Sequence, residues 1–422
     1  MRKYAVIGFG CAGYHAVRAI RDADPDGWID VYSDTQDPPS NPMLTTYYAS
    51  GQLNYEGVFP FGSMDELQSA LRFQLKPAAH RLDAGTRTVY LADGTACSYD
   101  RLLVSTGAVP FVPPLTGLGK DNTFCMRTIK DAERLKQYLG CHEVRSAVVV
   151  GASMVGIKVV ELLTRRNIQV TLNDMASHIF PLAAYPDVAS VIEKRLEAAG
   201  IRFKFGCGLS GVSQDGPVIK TSYSDRSSLQ SELLVLCIGV RPDLSMLVPG
   251  QLKTGRGITV NDRMETSAPG VFAAGDCCES GNLLDGKKQI IGLWANAGMQ
   301  GETAGLNMAG KEAVYDGSIP HNITHFMNMD FIGVGDNRVQ DGKTIACGSP
   351  DGGLFIKAVI RDGKIYGCNI LDNYRISGLI RNYIFKRCRG GAPGLPDYQR
   401  QLLLQEGLTD AFIDALEECC DE

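Results

Sequence analysis

Lys3-Tyr-Ala-Val-Ile7-Gly8-Phe-Gly10-Cys11-Ala12-Gly13 opens the chain, and Ala147-Val-Val-Val150-Gly151-Ala-Ser153-Met154-Val155-Gly156 repeats its pattern later on. In both, a short apolar run that reads as a buried strand meets a glycine turn. Sequence of helical period follows, through Ile20 in the first and Arg166 in the second. Glycines in such a turn let the backbone bend sharply and approach a pyrophosphate, which then sits at the N-terminus of the helix. A second strand follows each unit, Trp28–Ser33 and Gln169–Leu172, and an acid comes just after it. Asp34 stands 21 residues after Gly13, and Asp174 stands 18 after Gly156. A carboxylate at that place binds ribose hydroxyls. Asp174 favours a free 2′-hydroxyl over a 2′-phosphate, and Met175 to His178 include no Arg to hold that phosphate, so NADH is expected over NADPH. Ser153 replaces the middle glycine of the second turn, with a hydroxyl that can donate to a phosphate oxygen.

Working outward, Leu102–Val104 is a short strand running into Ser105-Thr106-Gly107, and the Pro-rich Val109–Gly117 reads as a crossing between domains. Thr128 with Asp131 forms a capping-box pattern that opens a helix to about Leu139. Glu232–Ile238 is a buried strand ended by Gly239, and Gly270–Ala274 is another, ending in Gly275-Asp276. A helix is predicted over Ala295–Met308. Beyond residue 320 the chain turns strand-rich, with a hairpin over Phe355–Ile360 and Lys364–Cys368 around Gly363. The expected architecture is α/β: two Rossmann-like dinucleotide-binding domains plus a C-terminal α+β domain.

The 422 residues are 44% hydrophobic and 21% charged, ordinary for a globular protein, and the net charge of −5 gives no general attraction to nucleic acid. Met1-Arg2-Lys3 runs directly into a strand, leaving no room for a signal peptide, and no apolar run reaches the length of a membrane span. A cytoplasmic location and no membrane partner are expected. Thirteen cysteines are scattered without CxxC spacing, which is neither a zinc layout nor a disulfide scaffold, so no metal is expected.

Two such nucleotide units, together with Thr266-Ser-Ala-Pro-Gly-Val-Phe-Ala-Ala-Gly275-Asp276, Ser105-Thr106-Gly107 and Arg127-Thr-Ile-Lys-Asp-Ala132, resemble the FAD/NAD-linked reductases. That group includes rubredoxin and ferredoxin reductases, the flavin domain of nitrite reductase, NADH oxidases and coenzyme A-disulfide reductases. The resemblance spans nearly the whole chain. It implies an FAD-binding domain at 1–112 and 246–319, an inserted NAD-binding domain at 113–245, and a C-terminal interface and dimerisation domain at 320–422. By the same resemblance Asp276 binds FAD, as do Gly8, Gly10, Cys11, Ala12, Gly13, Asp34, Thr106, Gly107 and Gly275. Gly151, Ser153, Met154, Val155, Gly156, Asp174 and Gly239 serve NAD. Gly292–Gly301 is similar to the segment that reaches the flavin ring, which places Trp294 against the flavin.

The departures from that pattern narrow the function. Thiol-using relatives carry a redox cysteine about where Met43 stands, so thiol chemistry at that place is not expected. Ferredoxin-reductase-like members pair a loop Lys with a Glu two positions after the last glycine of the second unit. Here the loop holds Thr46 and the latter position is Lys158. Lys158 is therefore a candidate for stabilising negative charge on reduced flavin, with a solvated helix lysine as the alternative. Cys277 reads as packing, and Cys419-Cys420 stands in a polar tail. The function expected is an NADH-dependent, FAD-containing oxidoreductase that passes electrons to a separate acceptor, an iron–sulfur carrier, an enzyme subunit or a small molecule. An NADH oxidase and a non-catalytic flavoprotein subunit are the alternatives. A homodimer is expected through the C-terminal sheet, with Tyr374, Arg375 and Arg381 as candidate rim residues for a docking carrier.

Overall fold

The computed structural model describes residues 1–118, 121–350, 352–390 and 394–418. The chain folds as two compact units, residues 1–109 with 240–318, and residues 110–239 with 319–422.

The first unit is built on a five-stranded sheet in the order Val271–Ala273, Arg101–Val104, Lys3–Ile7, Trp28–Tyr32, Gln74–Lys76. Every neighbouring pair in it is parallel. Parallel strands covered on both faces carry side chains that are mostly apolar, and here Val6, Val31, Leu102 and Leu103 are fully buried. The helices Cys11–Ala23 and Trp294–Met308 pack together through small residues. A Cβ on Gly301 would lie 2.1 Å from the Ala12 carbonyl oxygen, and one on Gly305 would lie 2.5 Å from that of Ala16, so the two backbones touch. The Asp93-Gly94 turn signal joins strands Thr88–Leu91 and Ala96–Ser98 in a separate antiparallel sheet.

The second unit contains a parallel sheet in the order Arg202–Lys204, Gln169–Asn173, Ser146–Val150, Leu233–Leu236, Thr123–Cys125. The capping box forms as expected: the Asp131 amide donates to Thr128 Oγ1 at 3.1 Å, the Thr128 amide donates back to Asp131 at 2.8 Å, and the helix runs Ile129–Cys141. The strand-rich C-terminal stretch is a five-stranded antiparallel sheet in the order His321–Phe326, Met329–Gly335, Lys364–Leu371, Phe355–Arg361, Lys343–Gly348. Its predicted hairpin turns at Asp362 and Gly363, both with positive φ. This sheet shares a compact unit with the 110–239 segment. Phe331 stacks on Phe180 at 4.8 Å, and Asn369 receives the Tyr185 amide at 2.8 Å while donating to the Ala183 carbonyl at 2.8 Å. No helix among the described residues is long and apolar enough to cross a membrane.

Candidate functional site

In the first unit, Gly8 follows the central strand with φ +94°, and its amide donates to Tyr32 O at 2.8 Å. A Cβ there would lie 2.3 Å from the Ser105 carbonyl, and one on Gly13 would lie 2.2 Å from the Gly8 carbonyl. These two glycines are demanded by the protein's own backbone. Gly10 differs: it is the N-cap of Cys11–Ala23, and a Cβ on it would meet nothing within 4 Å. The open space beside Gly10 faces the first helical turn, where the amides of Cys11, Ala12 and Gly13 have no intrahelical acceptor. An anion fits this cradle, and a side chain at position 10 would fill it.

Around the cradle, Ser105 Oγ lies 2.8 Å from the Gly8 carbonyl and 3.0 Å from that of Ile7. Thr106 Oγ1 donates to Asp243 O at 2.7 Å, and Asp243 N donates to Gly107 O at 3.0 Å, tying together two distant stretches of the unit. Gly107 and Gly275 have φ of +70° and +85°. The Gly275 amide donates to the buried Gln300 at 2.8 Å, and Asp276 follows on a half-buried turn. The Cys11 thiol donates to Trp294 O at 3.2 Å, and burial, aided by the charge of Asp276, pushes it up to about 12. Trp294 is the first residue of its helix and stacks on Phe61 at 5.7 Å, which stacks on Tyr14 at 3.9 Å. Neither Phe61 nor Tyr14 was singled out in the sequence, because the contacts Tyr14–Phe61 and Phe61–Trp294 cross long separations.

The second unit repeats the construction. Gly151 has φ +110°, donates to Asn173 O at 2.7 Å, and would carry a Cβ 2.3 Å from the Cys237 carbonyl. Gly156 would place one 1.9 Å from the Gly151 carbonyl, and Gly239, at φ +96°, matches Gly107. Ser153 makes the difference between the two turns. Its Oγ donates to Cys237 O at 3.0 Å and accepts the Gly156 amide at 3.1 Å, so the hydroxyl expected to meet a phosphate caps the helix Met154–Thr164 instead. The amides of Met154 and Val155 remain for an anion. Asp174 accepts the Ala152 amide at 2.7 Å and the Ala176 amide at 2.8 Å. Strand register equates Asn173 with Tyr32, through Val150 and Ile7, so Asp174 corresponds to Ser33, and the exposed Asp34 lies one residue further on.

Lys158 is 5% exposed on this second helix. Its ammonium pairs with Glu161 and donates to His325 O at 2.9 Å. Glu161, which sequence reading passed over, also accepts from Arg165 at 2.8 Å and from the Met327 amide at 3.0 Å. Burial opposes its ionisation, but the Lys158 hydrogen bond, the Met327 amide and the charges of Lys158 and Arg165 outweigh that and hold the carboxyl below its usual range. Lysine at 158 with glutamate at 161 is an i, i+3 spacing that the sequence did carry.

Met43 is 40% exposed on the turn Pro42–Leu44. All eleven described cysteines are free, and Cys419 and Cys420 lie outside the described residues. Cys277 is fully buried against the carbonyls of Val104 and Ala274, and burial pushes it up to about 11. Of the rim residues, Tyr374 is 59% exposed and Arg375 pairs with Glu406 at 3.4 Å. Arg381 is half-buried, with its guanidinium 5.2 Å above the Phe385 ring.

A family model described as pyridine nucleotide-disulphide oxidoreductase matches residues 2–301. The NADH-dependent phenylglyoxylate dehydrogenase subunit epsilon of Aromatoleum evansii is 29% identical over 391 residues, covering 91% of this chain and 92% of its own. The NADH oxidase of Methanocaldococcus jannaschii is 26% identical, covering 88% of each. Among solved structures, an engineered water-forming NADPH oxidase, derived from the NADH oxidase of Lactobacillus brevis, aligns with a TM-score of 0.85 at 21% identity, covering 93% of this chain and 92% of that one. With its FAD- and pyridine nucleotide-type turns and this match over most of its length, the chain is an oxidoreductase that belongs to the pyridine nucleotide-disulphide oxidoreductase family.

Proposed function

We propose that this protein is the NADH-accepting flavoprotein of a cytoplasmic electron-transfer system, passing electrons from FAD to a separate iron–sulfur protein or partner enzyme subunit without an active-site disulfide. The observation that carries this reading is the pair of glycine cradles built alike, Gly8–Gly13 and Gly151–Gly156, each facing the first amides of a helix. FAD, held there, would supply the hydride-accepting and electron-releasing chemistry. The protein supplies binding and orientation. The amides of Cys11, Ala12 and Gly13 hold the FAD pyrophosphate, with Asp34 and Asp276 on its hydroxyls, and those of Met154 and Val155 hold that of NADH. Trp294, steadied by Phe61, covers the flavin. Lys158 serves the reaction by position, since its charge is already met by Glu161.

Asp174 sets the preference for NADH. In the engineered NADPH oxidase a glycine, an aspartate and a proline are among the exchanged residues, at the intervals of 18 and 7 residues that separate Gly156, Asp174 and Pro181 here. Met43 supports a route without a thiol, and the Aromatoleum relative, named as a subunit, supports a protein acceptor. The antiparallel sheet of residues 321–371 serves as a homodimer interface, which light scattering of the intact chain tests. The Methanocaldococcus relative favours oxygen as a second acceptor. The test is anaerobic mixing of NADH with the FAD-loaded protein. Bleaching of the flavin is expected, followed by slow reoxidation in air and fast reoxidation by an iron–sulfur carrier. Flavin that NADH leaves oxidised refutes the reading, and air reoxidation as fast as the carrier's favours the oxidase.

A further inference from the structure

The hairpin of strands His321–Phe326 and Met329–Gly335 closes on a two-residue turn, with Phe326 paired to Met329 across it. Met327 and Asn328 both have positive φ, 46° and 63°, as a type I′ hairpin turn requires. Asn accepts that region readily. Met does not, and Gly or Asn would be the easier choice there. A methionine held at such a position is paired here with two fixed backbone contacts: Glu161 takes the Met327 amide at 3.0 Å, and Lys158 donates to the His325 carbonyl at 2.9 Å. Both side chains are about 5% exposed, on the helix Met154–Thr164. That helix begins at the second glycine cradle. Lys158 lies two residues after Gly156, about 3 Å along the axis, and one turn beyond Met154 on the same face. The tip of the hairpin is thereby fixed to the helix that begins at the nucleotide cradle, within the same compact unit. Met327 is half-buried and its neighbour Phe326 fully buried, while the Met327 amide is clamped by Glu161.

We propose that the Met327 side chain forms a wall of the NADH site, and that Lys158 and Glu161 are positioning residues that hold this wall in place. The inference rests on the reading of Gly151–Gly156 as the NADH cradle. A buried ion pair whose two side chains reach backbone groups 167 and 166 residues away in one turn sets that turn's position more narrowly than packing alone. Methionine at the tip provides the adaptable apolar surface that a planar ring of a nucleotide contacts.

The experiment is titration calorimetry of NAD⁺ and NADH into the FAD-loaded protein, the Met327→Gly variant and the Glu161→Gln variant, with thermal unfolding measured on each. Met327→Gly relieves the turn and removes only the side chain. Its melting temperature is expected to be equal to or above that of the unaltered protein, while its Kd for NADH rises about tenfold. Glu161→Gln is expected to raise the same Kd and lower the melting temperature, and restoring the acid as Glu161→Asp recovers part of both. Met327→Gly binding NADH as tightly as the unaltered protein overturns the inference and leaves the cradle reading standing. An unaltered protein that binds no NADH overturns both.

Discussion

Asp174 Oδ2 accepts the backbone amide of Ala152 at 2.7 Å, so the acid that ends the second strand also holds the glycine turn it faces. Its other oxygen takes the Ala176 amide at 2.8 Å, which leaves the carboxylate in one orientation. A nucleotide phosphate brought beside it meets a fixed negative charge. That repulsion costs on the order of 1–3 kcal/mol, or about tenfold to a hundredfold in specificity.

Because Asp174 is partly open to solvent, the low end of that range is expected. Asp174→Ala is expected to lower kcat/KM for NADH about tenfold through loss of the turn anchor and of the proposed ribose contact. It also brings the NADH to NADPH ratio about tenfold nearer to one. Steady-state reduction of a dye with both nucleotides measures it, and an unchanged ratio refutes the assignment.

Gly8 and Gly10 stand two residues apart and have opposite sensitivities. Gly8→Ala forces a Cβ against the Ser105 carbonyl at a positive φ, and the folded protein is expected to lose more than about 3 kcal/mol. Gly10→Ala touches no protein atom, so the apoprotein melts within about 0.5 kcal/mol of the unaltered one, while the Kd for FAD rises at least about tenfold. Chemical unfolding of both apoproteins, with FAD titration of the second, separates the two effects. Equal damage from both substitutions would show that position 10 is not the cradle's open side.

The thiols offer a negative control. Burial raises Cys277 to about 11, so at neutral pH it carries almost no thiolate, and the exposed Cys141 should take up iodoacetamide long before it. Cys277→Ala is expected to leave flavin reduction by NADH unchanged. Loss of reduction in a folded, FAD-loaded Cys277→Ala variant would restore a redox role to it.

Glu161 ties stability to acid. Its carboxyl titrates lower in the folded chain than in the unfolded one, so it stabilises the fold above about pH 4.3 and that contribution disappears as the pH falls through its folded value. Glu161→Gln leaves Lys158 buried without its counter-charge, at a cost of roughly 3–5 kcal/mol near neutrality. Urea melts from pH 7 downward should show the gap between the two proteins widest above about pH 5 and closing in acid. A gap independent of pH would mean that the carboxylate contributes only by shape.

The elements read most clearly in sequence were those whose requirements are local. Gly8, Gly13, Gly151 and Gly156 each answer to a carbonyl at the foot of their own turn or on the adjoining strand, so strand, turn and helix could be placed from the residues alone. The hairpin at Asp362-Gly363 was legible for the same reason. The hydroxyl of Ser153 finds Cys237, a partner 84 residues away that spacing does not announce. The burial of Lys158 was hidden for a similar reason: nothing near it in sequence shows that His325 and Met327 close over that helix. Asp34 and Asp174 both follow the second strand of their unit, 21 and 18 residues after the last glycine, and the strand register sets them one residue apart.

The contact of Gly301 and Gly305 with the backs of Ala12 and Ala16 makes the flavin cradle adjustable from behind. Helix Trp294–Met308 acts as the anvil on which the cradle's helix rests, and any thickening of it displaces the amides of Cys11, Ala12 and Gly13. Gly301→Ala is therefore expected to shift that helix and, on the proposed role of its first amides, to loosen FAD. For engineering, the spacing of these two helices becomes an adjustment separate from the residues that line the cradle.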